Sequence, residues 1–387
     1  MRRVIVLAWC LLGAAAPAAA QATVSDVLGF LVTNQAVLTA DFERDRAAAE
    51  AARDTISRAL LINLTSVPLA TSSSGFLYRL NPDLGTVERA TESFGGFFVE
   101  RALGAGRGRA SFGLSGATSS FDKLGAQDLR DGTLITVANR FRDEPAPFDT
   151  ESLTLKLRSH TMTLFGSVGL TDRLEIGGAI PLVSLRLEGQ RLNVYRGSTF
   201  LQASGTATAT GIADVALRAK YTVAASRRGG VAAAAELRLP TGDEANLLGA
   251  GSLAYRLTGI GSYEEGRLGL HANAGIVRGG VSDELNVAAA ASYAVRPRLT
   301  LSGEFLVRSL PDLRDITLTA RPHPTIAGVD TLRLGTGTSG TTLSNAIAGF
   351  KWNVSGTLVI GGHVAWPLVR RGLTAPLTPS VALEYGF

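Results

Sequence analysis

From about residue 75 to the C-terminus, apolar and polar residues alternate over runs of 9 to 14 positions, and each run breaks at Gly, Pro, Asn or Asp. A two-residue period puts successive side chains on opposite faces, so the runs predict strands with one apolar and one polar face. Val381, Leu383, Tyr385 and Phe387 share one face, and Ser380, Ala382, Glu384 and Gly386 share the other. The same division sets Leu299, Leu301, Phe305 and Val307 against Arg298, Thr300, Ser302 and Glu304. It also sets Val215, Leu217, Ala219, Tyr221 and Val223 against Asp214, Arg218, Lys220 and Thr222.

A soluble sandwich can produce this alternation, but its strands run to about 5 to 6 residues, whereas a tilted membrane strand needs about 9 to 11. Reading back from the end gives strands at 378–387, 356–368, 341–354, 298–309, 283–295, 266–277, 250–263, 229–240, 211–224, 173–188, 151–170, 107–119, 92–103 and 75–81. That is fourteen, or twelve if the first and one neighbour lie outside the wall. Tight turns then fall at one end and the long stretches 120–150, 189–210, 241–249, 310–340 and 369–377 at the other, as in outer-membrane barrels. The prediction is an all-β, transmembrane, antiparallel up-and-down β-barrel over residues 75–387. Alternation slips at Ser159 to Thr161 and at Pro181, where bulges are expected.

Residues 21–74 do not follow the barrel pattern. Asp41 to Leu61 reads as a helix with Phe42, Ala49, Ala52, Ile56 and Leu60 on one face and Thr39 as a cap. This N-terminal helical segment is either a periplasmic extension or a plug, and the extension is preferred because no inward path is marked. Met1 to Ala20 has the layout of a secretory signal peptide, with Arg2 and Arg3, an apolar stretch from Val4 to Ala16, and Ala18 to Ala20 before Gln21. Export to the outer membrane of a Gram-negative bacterium follows from that layout together with the barrel.

Composition narrows the classes further. Of the 38 basic residues only Lys123, Lys156, Lys220 and Lys351 are lysine, the net charge is +5, and no basic block occurs, so nucleic acid is not an expected partner. The single cysteine, Cys10, lies in the signal stretch and excludes a disulfide framework. No HExxH, GxSxG or P-loop motif is present, and the four histidines, His160, His271, His323 and His363, are not grouped with a nucleophile. The expectation is no enzyme, no cofactor and no metal site. The non-lipid faces carry the candidate chemistry: Arg218, Lys220, Glu236, Arg238, Arg256, His271, Asn273, Glu284, Arg298, Glu304, Lys351, His363 and Glu384 are the candidate lumen-lining residues. They either pair across strands and fill the barrel or line a polar path with a slight positive bias.

Three stretches carry a family resemblance. Gly166 to Leu182 (GSVGLTDRLEIGGAIPL), Gly211 to Tyr221 (GIADVALRAKY) and Glu236 to Asp243 (ELRLPTGD) resemble, in order, the outer-membrane family of meta-pathway phenol-degradation proteins. The resemblance covers residues 166–243 and implies a transporter-like barrel related to uptake channels for hydrophobic compounds; its motifs encode turns and wall strands and carry no catalytic residue. The expected function is therefore passive uptake or export of small molecules, with hydrophobic or aromatic compounds implied by the resemblance. The alternatives are a closed structural or adhesion barrel acting through its outer loops, or an outer-membrane lipid hydrolase. Expected partners are the lipid bilayer, a small-molecule solute, and the outer-membrane assembly machinery, which would read the terminal strand ending at Phe387.

Overall fold

The computed structural model describes residues 22–33, 42–64, 78–81, 86–89, 93–323 and 325–387. The signal stretch and the Thr39 cap lie outside these residues. Two helices come first, α1 (Val24–Val32) and α2 (Phe42–Leu64), followed by a separate hairpin of β1 (Tyr78–Asn81) and β2 (Thr86–Arg89). Then come β3 (Ala110–Phe121), the short β4 (Lys123–Leu124) and β5 (Gln127–Asp128), β6 (Leu134–Phe141), β7 (Asp149–Gly169), β8 (Leu174–Tyr195), β9 (Ser198–Ile212) and β10 (Val215–Ser226). The chain continues through β11 (Gly229–Leu239), β12 (Ala254–Glu265), β13 (Leu268–Gly279), β14 (Glu284–Arg296), β15 (Leu299–Pro322), β16 (Val329–Asn353), β17 (Leu358–Val369), β18 (Leu373–Thr374) and β19 (Thr378–Gly386).

Twelve of these strands form a closed antiparallel ring in the order β3, β7, β8, β10, β11, β12, β13, β14, β15, β16, β17, β19 and back to β3. At the seam Ser380 to Gly386 pair with Ala117 to Ser111, and Ala110 and Phe387 exchange two backbone hydrogen bonds of 2.9 Å. Strands β6 and β9 add to the sheet outside the ring. The all-β barrel is therefore as expected, with twelve ring strands rather than fourteen. The two surplus predicted strands are accounted for. Among the described residues, 78–81 pair with β2 alone, and 92–103 is irregular where described, because Gly95-Gly96 and the adjacent Phe97-Phe98 give no alternating face.

Two of the expected loops are strand instead. β8 runs on to Tyr195, turns through Arg196 and Gly197 at positive φ, and returns as β9. β15 and β16 extend likewise, so 189–210 and most of 310–340 are paired. The β9 stretch is an Ala/Thr alternation, with Ala203, Ala207 and Ala209 buried and Thr206, Thr208 and Thr210 exposed, a weak hydropathy signal.

The bulges expected on β7 and β8 are absent. Their register is unbroken from Asp149↔Tyr195 to Gly169↔Glu175. What changes along each strand is the chemistry of its two faces. Towards the short-turn end Met162 and Leu164 point outward and Thr161 and Thr163 inward. Towards the other end Lys156, Arg158 and His160 point outward, and Leu153, Leu155 and Leu157 are buried inside. Parity is kept while polarity inverts, as expected for strands that leave hydrocarbon and enter water. Pro181 lies where the return strand is broken: Ala179 pairs with β10 and Leu182 with β9, so its missing N–H disrupts little.

The inward apolar face of this outer half is covered by the helices. α1 begins with a capping box in which Asp26 N–H donates to the Thr23 hydroxyl and Thr23 N–H donates to the Asp26 carboxylate, both at 3.1 Å. The Thr23 hydroxyl and then the Thr23 N–H, both beside its carboxylate, hold the Asp26 carboxyl below its usual range. Leu31 presses so closely on β8 that a Cβ on Gly189 would sit 2.4 Å from its Cδ1. α2 buries Ala52, Ile56 and Leu60 in the same apolar cluster as Leu155, Leu185, Leu310 and Leu373.

A ring without free edges keeps its backbone hydrogen bonds in mild detergent. Unboiled protein is therefore expected to migrate differently from boiled protein on electrophoresis, and identical mobility would count against the closed ring.

Candidate functional site: the barrel lumen

Residues 93–109 cross the inside of the ring, and the inward polar side chains of the wall hold them there. Phe94 N–H donates to Thr300 Oγ1 (3.0 Å), and Lys351 Nζ donates to the Gly96 carbonyl (2.7 Å). The Glu304 carboxylate accepts from three consecutive amides, those of Phe97, Phe98 (2.8 Å) and Val99 (2.9 Å). Glu100 pairs with Arg218, and its backbone meets the Asn273 amide once that amide is oriented to match it. Arg101 lies 3.4 Å from Glu264, and Lys220 donates to the carbonyls of Arg101 and Leu103. Ala102 N–H reaches Ser262 Oγ (2.8 Å), and Ala105 N–H reaches Glu175 (3.1 Å). The segment leaves at the short-turn end, where Gly108 N–H meets the Gly169 carbonyl at 2.8 Å before β3 begins.

Twelve of the thirteen candidate lumen residues occupy inward positions of the wall. Arg298 is the exception, because β14 ends at Arg296 and Arg298 is an exposed turn residue at the rim. Charges inside the ring are largely matched: Glu236 with Arg238 at 2.8 Å, Glu284 with Arg308, and Glu175 with Lys220 at 3.7 Å. His271 Nδ1 lies 3.0 Å from Ser262 Oγ. The sequence reading missed Phe97, Phe98, Glu100 and Arg101 as luminal groups, having placed them in a wall strand.

One side of the lumen is not filled. A cavity of about 100 Å³ lies between the end of α2, Phe98 and the inner faces of β3, β7, β16 and β17, and reaches His363. A smaller one, about 20 Å³, lies towards the short-turn end and also touches His363, together with Lys351 and Glu384. Between them the Phe97 ring lies tilted by 42° against the His363 ring, centroids 4.3 Å apart, and Phe98 meets the same imidazole edge-on at 5.6 Å. The wall leaves room for Phe97 at Gly349, where a Cβ would lie 2.6 Å from the ring.

No curated protein matches the chain. Among solved structures it is similar to the transport unit of the autotransporter AIDA-I from Escherichia coli (11% identity, 86% of this chain and 99% of that one, TM-score 0.40). It is also similar to the toluene transporter TodX of P. putida (10% identity, 74% and 97%, TM-score 0.36) and to OprB of Pseudomonas putida at low pH (12% identity, 72% and 92%, TM-score 0.28). A family model described as "Putative MetA-pathway of phenol degradation" matches residues 137–322, a span that contains all three resembling stretches, 166–182, 211–221 and 236–243. Over residues 137–322 the chain is similar to that family.

Proposed function

We propose that this barrel sits in the outer membrane and gives small uncharged molecules a narrow, passive route, without forming an open water-filled pore. The observation that supports this is the pair of cavities on one side of the lumen, both reaching His363, with the Phe97 ring set between them. The outward belt fits a bilayer: Leu164, Leu217, Leu270, Leu285 and Leu301 are each at least 43% exposed on wall strands. In this reading α1, α2 and 93–109 together form a plug, and residues 1–20 serve export. In planar bilayers the protein should show no large ohmic steps, and cells expressing it should take up toluene faster than cells without it. Porin-sized conductance, or equal uptake in both strains, would overturn the proposal.

The assembly machinery is proposed to read the last strand. Phe387 lies beside Phe112 and Tyr385 on the outer face, with ring centroids 6.2 and 6.1 Å away, and its backbone completes the seam. Deleting Phe387 is expected to lower outer-membrane yield far more than deleting Ala327 from the turn between β15 and β16. Equal yields would remove this role.

A further inference from the structure

A row of arginines crosses the outside of the barrel just above its apolar belt. On the outward face Gly116, Met162, Leu182 and Ile212 lie side by side across β3, β7, β8 and β9, and the three apolar side chains are 40% to 52% exposed. Away from the short-turn end, the next row is Thr118, His160, Ser184 and Thr210, and the one after it is Ser120, Arg158, Arg186 and Thr208. Arg130, in the stretch after β5, joins this last row by donating to Ser120 Oγ (2.7 Å) and to the Phe121 carbonyl (3.0 Å). Lys156 follows one row higher, opposite Glu188. At about 3.4 Å per residue on strands tilted about 40°, Arg158 stands about 10 Å above Met162. The polar layer over the hydrocarbon is about 5 to 8 Å deep, so the row starts at its upper edge and its long side chains reach into it.

The row is set against its own electrostatics. Arg158 and Arg186 are direct cross-strand partners, and like charges placed opposite each other destabilise a sheet. Glu188, the one carboxylate on these rows, is bound to Arg186 at 2.6 Å. Among the described residues Lys156 and Arg158 have no carboxylate partner. The acids flanking Arg130 are already engaged, Asp128 by the Arg130 N–H (2.8 Å) and Asp131 by the Thr133 hydroxyl (2.7 Å). A phosphate monoester placed on the row would relieve the repulsion, since its oxygens accept from guanidinium groups in pairs. We infer that Arg130, Arg158 and Arg186 form a binding site for the phosphate group of an outer-leaflet lipid, whose acyl chains run down along Met162, Leu182 and Ile212. A free phosphate would meet the same charges but gain nothing from that apolar floor. The inference rests on the proposed outer-membrane placement and is independent of any transported solute.

Native mass spectrometry of the purified protein in a neutral maltoside detergent tests this. A single bisphosphorylated lipid A should bind, and the same lipid stripped of its phosphates should bind far more weakly. Arg158→Gln combined with Arg186→Gln should weaken the phosphorylated lipid about thirtyfold, because each cation near a membrane surface contributes about fivefold to the attraction of acidic lipid. Arg314→Gln combined with Arg321→Gln removes the same charge from exposed positions on β15 and should leave binding unchanged. Inorganic phosphate in large excess should not displace the lipid. Equal binding of the two lipids overturns the inference on the unaltered chain, whether or not a variant folds. An equal loss in the β15 variant would mean diffuse charge attraction and overturns the site, and displacement by inorganic phosphate overturns the lipid as its occupant. Full affinity in the Arg158/Arg186 variant, with its heat-modifiable band kept, overturns the assignment of these arginines.

Discussion

Arginine at Leu155 and arginine at Leu164 are expected to destabilise the same strand for opposite reasons. Leu164 points outward and is 52% exposed, so a charge there would face hydrocarbon and cost about 2 to 4 kcal/mol near the midplane. Leu155, 2% exposed, points inward among Leu31-side helix residues and the buried leucines of β8. Truncating such a leucine costs about 2 to 5 kcal/mol, and an unpaired charge in its place costs more. Lys156, next to Leu155 and outward, should accept leucine with a change within about 0.5 kcal/mol. Urea unfolding in lipid vesicles, followed by tryptophan emission, checks all three. If Leu155→Arg were tolerated, the outer half would not hold a dry core.

Glu304→Ala is expected to release the luminal segment. Three adjacent amides lose their common acceptor, and each hydrogen bond to a charged group contributes about 1.5 to 3 kcal/mol. Amide exchange at residues 97–99 should therefore accelerate by two or more orders of magnitude, while the β12–β13 ladder should exchange as before. Glu304→Gln keeps one acceptor oxygen and should give an intermediate rate. Unchanged exchange in Glu304→Ala would show that other contacts hold the segment.

The wall was legible because its rule is local. Alternation at Leu268 to Ile276 or Val215 to Val223 reports strand and face together, and the structure places both as read. The luminal contents follow no period. Phe97 and Phe98, consecutive residues that both meet His363, belong to an irregular chain whose partners, Glu304 and Lys351, are more than 200 residues away. α1 escaped notice although Thr23-x-x-Asp26 before an apolar run is a recognisable start signal. The apparent slips at Ser159 and Pro181 misled because a change of solvent along a strand resembles a change of parity. Arg298 was assigned inward by extending a strand period into a turn.

The seam between β3 and β19 constrains the order of assembly. β3 is the direct continuation of residues 93–109, which lie inside the ring, while β19 comes last in chain order among the ring strands. Once those two strands are joined the cylinder is complete, and α1 and α2 would have to pass an end already narrowed by side chains. The N-terminal region must therefore be enclosed while the sheet is still an open, curling surface, with the final strand shutting it in. Such a barrel is wrapped around α1, α2 and residues 93–109, and one closed too early would be empty and would have no easy way to correct itself.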